Sequence, residues 1–136
     1  MVGFDVRKVI LNDYEDIAKL NSKVDYLDLK AICNDKNTLM VVAQLNDDVI
    51  GYVKGNFIRE AYNIEVDVED LIVDEMYRGL GVGHQLVLEL EKCIKGGSVR
   101  YITTINRNYD DEKVKFFNRQ GFTLYNNSRF IKLNLI

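Results

Sequence analysis

The chain has 136 residues, of which 47% are hydrophobic and 29% are charged, and its net charge is -3. This length suits one compact domain over residues 1–136, because two domains would each approach the size at which a single core becomes marginal. Acidic and basic residues are interspersed and the apolar runs are short, which argues against nucleic-acid binding and against a membrane span of about 20 residues.

The N-terminal residues and the two cysteines bear on the cellular compartment. Asp5, Arg7 and Lys8 interrupt the first segment, which therefore lacks the apolar core of a signal peptide. Cys33 and Cys93 are far apart in the sequence, and we expect both thiols to be reduced. Cys93 is expected to lie on the buried face of a helix and to fill part of the hydrophobic core. The expected location is the cytoplasm.

The first quarter of the chain predicts one strand and two helices. Residues 4–9 alternate apolar and polar side chains, as in a half-buried strand. Asn12 and Glu15 have the spacing of a capping box, so a helix is expected to begin at Asn12. Residues 24–32 show a weaker helical pattern that ends near Asn34.

The central part of the chain is rich in β-forming residues. The runs 38–45 and 49–58 are joined by the polar segment 46–48, which predicts a hairpin. Residues 64–73 predict a further strand with apolar and acidic side chains on opposite faces. This alternation breaks at 71–73, where three apolar residues follow one another, so either a bulge or burial of both faces is expected there.

The remaining elements complete a mixed domain. After the loop 74–83 comes an amphipathic helix that ends at Gly96–Gly97. A short strand at 101–105, a helix at 110–120 ended by Gly121, and a hairpin of 122–125 and 130–135 across Asn126–Asn127 follow. Strands interleaved with helices predict an α/β (or α+β) fold with a mixed sheet.

The segment between the predicted strand and helix, 73–84, has glycine at three alternate positions. Glycines allow a positive φ and a close approach of the backbone, and a helix N-terminus favours an anion. Arg78 adds a cation with several donors. The segment predicts either an anion-binding loop or a tight turn that merely requires glycine. It is neither a Walker A loop nor a dinucleotide-binding fingerprint, because the Gly-Lys-Ser/Thr run and the third glycine are missing.

Two motifs resemble those of the GNAT acyltransferases. Arg78-x-x-Gly81-x-Gly83 is similar to the family's pyrophosphate-binding motif, Arg/Gln-x-x-Gly-x-Gly/Ala, and it follows a predicted strand and opens a helix. Residues 116–122, Phe-Phe-Asn-Arg-Gln-Gly-Phe, resemble the second motif, Phe-Tyr-x-x-x-Gly-Phe. The predicted order of elements is similar over nearly the whole chain. The resemblance implies a mixed, mostly antiparallel central sheet flanked by helices.

The resemblance also implies acetyl-CoA as cosubstrate, without a metal. The main chain of the loop and the histidine after it would contact the pyrophosphate: Arg78, Gly79, Leu80, Gly81, Val82, Gly83 and His84. The main chain of Leu71, Ile72 and Val73 would lie beside the pantetheine arm, with a nearby N–H stabilising the oxyanion that forms on attack.

Amine attack requires a neutral nitrogen, so a group must accept a proton directly or through water. Glu65, Asp67 and Glu69 project from one face of the predicted strand. Glu69 is the first candidate for this base and Asp67 the second, and water remains an alternative. With Glu60, Asp70, Asp74 and Glu75, these carboxylates would favour a cationic acceptor if they border its cleft.

Phe117 departs from the family pattern, because it occupies the position of a tyrosine that often protonates the leaving thiolate. We expect its ring to pack against the cofactor and shield the thioester. The sequence thus predicts an N-acetyltransferase in which a primary amine attacks acetyl-CoA directly in a ternary complex. A CoA-binding or regulatory module with weak activity and a cofactor-free interaction domain are the alternatives. The acceptor, which could be a protein, a polyamine, an antibiotic or a metabolite, stays open, and a homodimer is possible.

Overall fold

The computed structural model describes residues 3–59, 63–95, 98–105, 111–125 and 129–133. The strands are β1 (Asp5–Lys8), β2 (Thr38–Leu45), β3 (Asp48–Arg59), β4 (Ile64–Val73), β5 (Val99–Ile105), β6 (Thr123–Tyr125) and β7 (Arg129–Leu133). The helices are α1 (Tyr14–Leu20), α2 (Tyr26–Asn34), α3 (Val82–Ile94) and α4 (Asp111–Arg119), and short 3-10 turns cover Leu11–Asp13 and Glu75–Tyr77. No helix in these ranges is long and apolar enough to cross a membrane.

The strands form one sheet in the order β1-β2-β3-β4-β5-β7-β6. Only β4 and β5 pair in parallel, and the other neighbours are antiparallel. The predicted mixed, mostly antiparallel sheet is therefore confirmed, as is the hairpin of β2 and β3. Four of the sequence-based predictions fall outside the described residues. They are the helix end at Gly96–Gly97, the turn at Asn126–Asn127, the carboxylate of Glu60 and the first residue, 110, of the last helix.

Each face of the sheet carries its own hydrophobic core. Successive side chains of a strand point to opposite faces; accordingly Val53 joins the core under α3 and α4, whereas Tyr52 joins the core under α1 and α2. Leu86 and Leu90 of α3 are fully buried in the first core, and Ile17 of α1 is fully buried in the second. The sheet is thus the middle layer of the fold.

A β-bulge interrupts the pairing of β3 with β4. Gly55 pairs with Val68 and Lys54 pairs with Asp70, so Glu69 is an extra residue on β4. The extra residue exchanges the faces of the residues that follow it. The apolar run at 71–73 also reflects burial of both faces, because Leu71 and Val73 pack against the core under α3 and α4 and Ile72 packs against the core under α1 and α2. The predicted bulge is confirmed and lies two residues before the first residue of the apolar run.

Two local predictions are wrong. Helix α1 does not begin with a capping box at Asn12, because the carboxylate of Asp13 accepts a hydrogen bond from the backbone of Ile10 at 2.9 Å and starts a 3-10 turn instead. Arg7 holds this carboxylate with two further bonds. Cys93 is exposed rather than in the helix core, because the buried stripe of α3 passes through Leu90 and Ile94.

Candidate active site

The loop from β4 to α3 contains two residues in the left-handed backbone conformation. Gly79 has φ 78° and Gly81 has φ 83°, conformations that side chains with a Cβ rarely adopt. A Cβ added at either position would meet nothing within 4 Å. These two glycines are therefore required by the path of the chain, and the space beside each is open.

Helix α3 begins directly after Gly81. The first hydrogen bond of the helix runs from the N–H of Gln85 to the carbonyl of Gly81 at 3.0 Å. The N–H groups of Val82, Gly83 and His84 therefore have no acceptor within the helix. They lie at the positive end of the helix dipole, which makes this turn suited to an anion.

The third glycine of the motif has a different role. Gly83 lies inside α3, and a Cβ added to it would lie 3.2 and 3.3 Å from two ring atoms of Phe116. Glycine at this position lets α4 approach the first turn of α3. Next to it, Nδ1 of His84 lies 2.6 Å from Oε1 of Gln120, so His84 also connects α3 to the end of α4.

A cleft of about 1070 Å³ opens between β4, the loop and α4. Its lining from the sheet consists of Val68, Glu69, Leu71, Ile72, Val73 and Thr104. The loop and α3 contribute Tyr77, Arg78, Gly79, Gly81, Val82, Gly83 and His84. Helix α4 and the residue after it contribute Glu112, Lys113, Lys115, Phe116, Phe117, Arg119 and Gln120. All of the cofactor-binding residues predicted from the sequence line this cleft except Leu80.

The sequence interpretation missed the wall that α4 forms. Only Phe117 of this helix was predicted to contact the ligand, whereas Lys115, Phe116 and Arg119 line the cleft as well. Residues one turn apart share a face of a helix. The prediction for Phe117 therefore did not extend to Lys115, Phe116 and Arg119, which lie on other faces of α4. The packing of Phe116 against Gly83 is what turns that face toward the loop.

The parallel strands β4 and β5 separate at the cleft. Their pairing runs from Ile64 with Val99 to Val68 with Thr104, whereas β4 continues to Val73. The Thr104 hydroxyl donates to the Val68 carbonyl at 3.0 Å. Beyond this point β4 has no strand partner on that side among the described residues, and Leu71, Ile72 and Val73 line the cleft.

Glu69 lies at the inner end of this separation. Its carboxylate forms an ion pair with Lys54 and accepts a hydrogen bond from Asn56 at 3.4 Å. Glu69 lines the cleft, whereas Asp67 lies outside its lining and accepts a hydrogen bond from the hydroxyl of Thr103 at 3.0 Å. The two candidate bases therefore have different surroundings.

A buried tyrosine lies beside the bulge on the face covered by α1 and α2. The Tyr52 hydroxyl accepts a hydrogen bond from Asn21 at 2.9 Å and donates one to Asp70 at 3.2 Å. Burial of the phenol raises the pKa of Tyr52, and the donation from Asn21 opposes that rise in part. The network joins the loop after α1 to the residue that follows Glu69.

Phe117 is a core residue as well as part of the cleft wall. Its ring is 1% exposed and contacts Phe116, Phe122 and Phe130 with centroid distances of 5.1, 5.1 and 5.4 Å. Phenylalanine has no ionisable proton, so this position supplies shape and apolar surface. Among the described residues, no group of three or more His, Cys, Asp or Glu side chains could hold a metal ion.

Comparison with known structures identifies the fold. The structure of Ard1 from Thermoplasma volcanium is 16% identical and superposes with a TM-score of 0.82, covering 99% of this chain and all of the other. PaiA N-acetyltransferase from Thermoplasma acidophilum in complex with coenzyme A is 16% identical with a TM-score of 0.80, and 95% and 96% of the two chains are covered. NAA60 from Arabidopsis thaliana in complex with acetyl-CoA is 16% identical with a TM-score of 0.80, with coverage of 96% and 98%.

Sequence comparison assigns the family. No curated protein resembles the chain in sequence at a significant level. A family model described as the Acetyltransferase (GNAT) family matches residues 7–122, most of the chain. The chain therefore belongs to the GNAT family of acetyltransferases, enzymes whose acetyl donor is acetyl-CoA.

Proposed function

We propose that the protein transfers the acetyl group of acetyl-CoA to a primary amine by direct attack in a ternary complex. The observation that carries this proposal is one cleft that runs from the first turn of α3 to Glu69. Between these points it follows the part of β4 that has no partner on the β5 side among the described residues. The whole chain acts as a single domain in this proposal, and the reaction takes place in the cytoplasm.

The size and the polarity of the cleft fit the cosubstrate. Its volume of about 1070 Å³ is slightly above the range of about 300–1,000 Å³ for small-molecule sites, as suits a ligand as large as acetyl-CoA. The pyrophosphate would be bound by the main chain of Arg78–Gly83 and by His84, where the space beside Gly79 and Gly81 is open. The Arg78 Nε donates to the Val73 carbonyl at 3.2 Å, which anchors the guanidinium beside this turn.

The edge of β4 would bind the rest of the donor. Main-chain groups of Leu71, Ile72 and Val73 border the cleft and would hold the pantetheine arm, and an N–H of this edge would stabilise the oxyanion that develops on the thioester. A donor of this kind is worth roughly 3–4 kcal/mol where one has been removed elsewhere. The ring of Phe117 would shield the thioester from water.

Glu69 is the proposed general base. It lines the cleft, yet it contacts Lys54, which lies on the same face of β3 as Tyr52. An amine could therefore approach from the face of α1 and α2 and give its proton to Glu69, directly or through water, while the donor occupies the cleft. Asp67 remains the alternative base.

The proposed acceptor is a cationic amine. Glu69 and Asp70 follow each other at the bulge and contact side chains of the same face of β3, so both would contribute a negative field to an amine approaching that face. In this proposal the protein acts without nucleic acid or membrane, and a homodimer is compatible with it.

Binding of acetyl-CoA, measured by calorimetry, tests the site. Gly81→Glu puts a carboxylate at the proposed pyrophosphate position and abolishes binding. The matched control is Asn46→Glu, which adds the same side chain at another positive φ, 54°, in the turn between β2 and β3. Equal affinity of a folded Gly81→Glu protein and the wild type would overturn the proposed site. Binding without acetyl transfer to any member of an amine panel would instead indicate a CoA-binding module.

A further inference from the structure

The wall that α4 contributes to the cleft is unusually basic for this chain. Four cations line the cleft, namely Arg78, Lys113, Lys115 and Arg119, against the two carboxylates of Glu69 and Glu112. The chain as a whole carries a net charge of -3. The sign of the charge is therefore reversed locally at the cleft, which attracts an anionic ligand.

Two of these cations have no side-chain partner among the described residues. Lys113 donates to the Ile105 carbonyl at 3.0 Å, and Arg78 donates to the Val73 carbonyl. Within the described residues, Lys115 and Arg119 make no side-chain hydrogen bond or ion pair. Both are exposed and lie one helical turn apart, so they share one face of α4.

That face borders the turn at which the pyrophosphate is proposed to bind. Phe116 and Gln120 contact Gly83 and His84 in the first turn of α3. Lys115 directly precedes Phe116, and Arg119 directly precedes Gln120. The side chains of neighbouring residues point about 100° apart around a helix axis. Lys115 and Arg119 therefore flank the contact between the helices, on the side that lines the cleft.

We infer that Lys115 and Arg119 bind the 3′-phosphate of acetyl-CoA and make the enzyme selective for the phosphorylated donor. This inference rests on the proposed function, because it requires the pyrophosphate to bind at the first turn of α3. The 3′-phosphate is attached to the same ribose that carries the pyrophosphate at its 5′ position. It is therefore one sugar away from that turn, within reach of long side chains on the adjacent face of α4.

The chemistry of the two side chains suits a phosphate monoester. Arginine presents a planar fork of donors and lysine a compact ammonium, and both are established ligands of phosphate groups. Because both residues are exposed, each contact is screened by solvent and is modest by itself. The two contacts together are expected to give a preference of about tenfold for acetyl-CoA over acetyl-3′-dephospho-CoA.

The test measures the affinity of both donors by calorimetry, without an acceptor. The wild type is expected to bind acetyl-CoA about tenfold more tightly than acetyl-3′-dephospho-CoA. The double variant Lys115→Gln/Arg119→Gln is expected to bind both donors equally, with the affinity that the wild type has for acetyl-3′-dephospho-CoA. Lys92→Gln removes one exposed cation from the last turn of α3, outside the cleft, and keeps the preference. The preference of the wild type should shrink at about 1 M salt, where the Debye length is about 3 Å.

The possible failures are distinguishable. If neither donor binds to the wild type, the proposed site itself is wrong. If both donors bind the wild type equally, or if the double variant keeps the preference, the inference is wrong while the proposed function stands. If the affinity of the double variant falls by the same factor for both donors, these cations bind the pyrophosphate instead, which also overturns the inference. Circular dichroism checks that the double variant is folded.

Discussion

Glu69 forms an ion pair with Lys54 at the point where β4 has one residue more than β3. A bulge bends a strand and redirects its side chains, and here the extra residue is the proposed base. The ammonium group of Lys54 holds the carboxylate at the inner end of the cleft. The fold thus uses an irregularity of the sheet to orient a candidate catalytic group.

The first prediction concerns this carboxylate. Glu69→Gln should lower turnover by about 10²–10⁴-fold, the usual contribution of a general base, and the loss should be largest at low pH, where little neutral amine exists. The affinity for acetyl-CoA should stay within a few-fold. Steady-state rates across the pH range and calorimetry measure the two effects.

Asp67→Asn is the matched control, since it makes the same carboxyl-to-amide change two residues earlier, where the side chain accepts from Thr103. It is expected to leave the pH profile unchanged. A loss of rate in Asp67→Asn but not in Glu69→Gln would assign the base to Asp67, and normal rates in both would assign deprotonation to water.

The second prediction concerns Phe117, the departure from the family motif. A thiol has a pKa near 8.5, so the thiolate can leave first and then take a proton from water or from the nitrogen that became positively charged when the amine attacked. Phe117→Tyr should therefore raise turnover by less than about tenfold, a barrier change of about 1.4 kcal/mol. Activity that arises only in Phe117→Tyr, from an inert wild type, would show that the native chain binds the donor without turnover.

The third prediction concerns the same ring as part of the core. Phe117 is 1% exposed and contacts three other phenylalanine rings. Phe117→Ala should lower the free energy of unfolding by about 3–5 kcal/mol because it leaves a cavity. Urea denaturation measures this loss, and a cost below about 1 kcal/mol would mean that the ring is not packed as described.

The fourth prediction concerns the hydroxyl of Tyr52. Tyr52→Phe removes the donor to Asp70 and the acceptor for Asn21, and should cost about 0.5–1.5 kcal/mol of unfolding free energy at neutral pH. Because burial raises the pKa of Tyr52, the unfolded phenol ionises first, near pH 10. The stability of the wild type should therefore fall above pH 10 more steeply than that of Tyr52→Phe.

Tyr26→Phe is the control for this pH dependence, since Tyr26 is exposed. Its stability should follow that of the wild type through the alkaline range. If the stability curves of Tyr52→Phe and the wild type run parallel above pH 10, the pKa of Tyr52 is not raised in the folded protein.

The fifth prediction concerns the contact of α3 with α4. Gly83→Val would force a branched side chain into the ring of Phe116, which already lies 3.2 Å from the position of a Cβ. Such overpacking should cost about 1–3 kcal/mol and should weaken acetyl-CoA binding, because it moves the wall of the cleft away from the loop. Gln85→Val, at an exposed position of the same helix, is the control and should change neither quantity by a comparable amount.

The sequence by itself determined the local structure around the loop. The strand 64–73 and a glycine-containing loop that leads into a helix were predicted from neighbouring residues. The predicted start of this helix was wrong by two residues, because α3 begins at Val82, and of the three glycines in the loop only Gly79 and Gly81 have a positive φ. Such features depend on steric limits of the backbone and on the period of apolar residues, which are local properties. The two motifs in their order were enough to indicate the family that the comparison assigns.

Only the tertiary structure decided which side chains meet across the cleft. The sequence did not predict that Lys54 contacts Glu69, that Phe116 packs on Gly83, or that Lys115 and Arg119 face the cleft. It also gave no indication that Cys93 lies outside the buried face of α3. These contacts depend on strand register and on the rotation of each helix about its axis. Both are set by packing between residues that are distant in the chain, which the local pattern of residues does not contain.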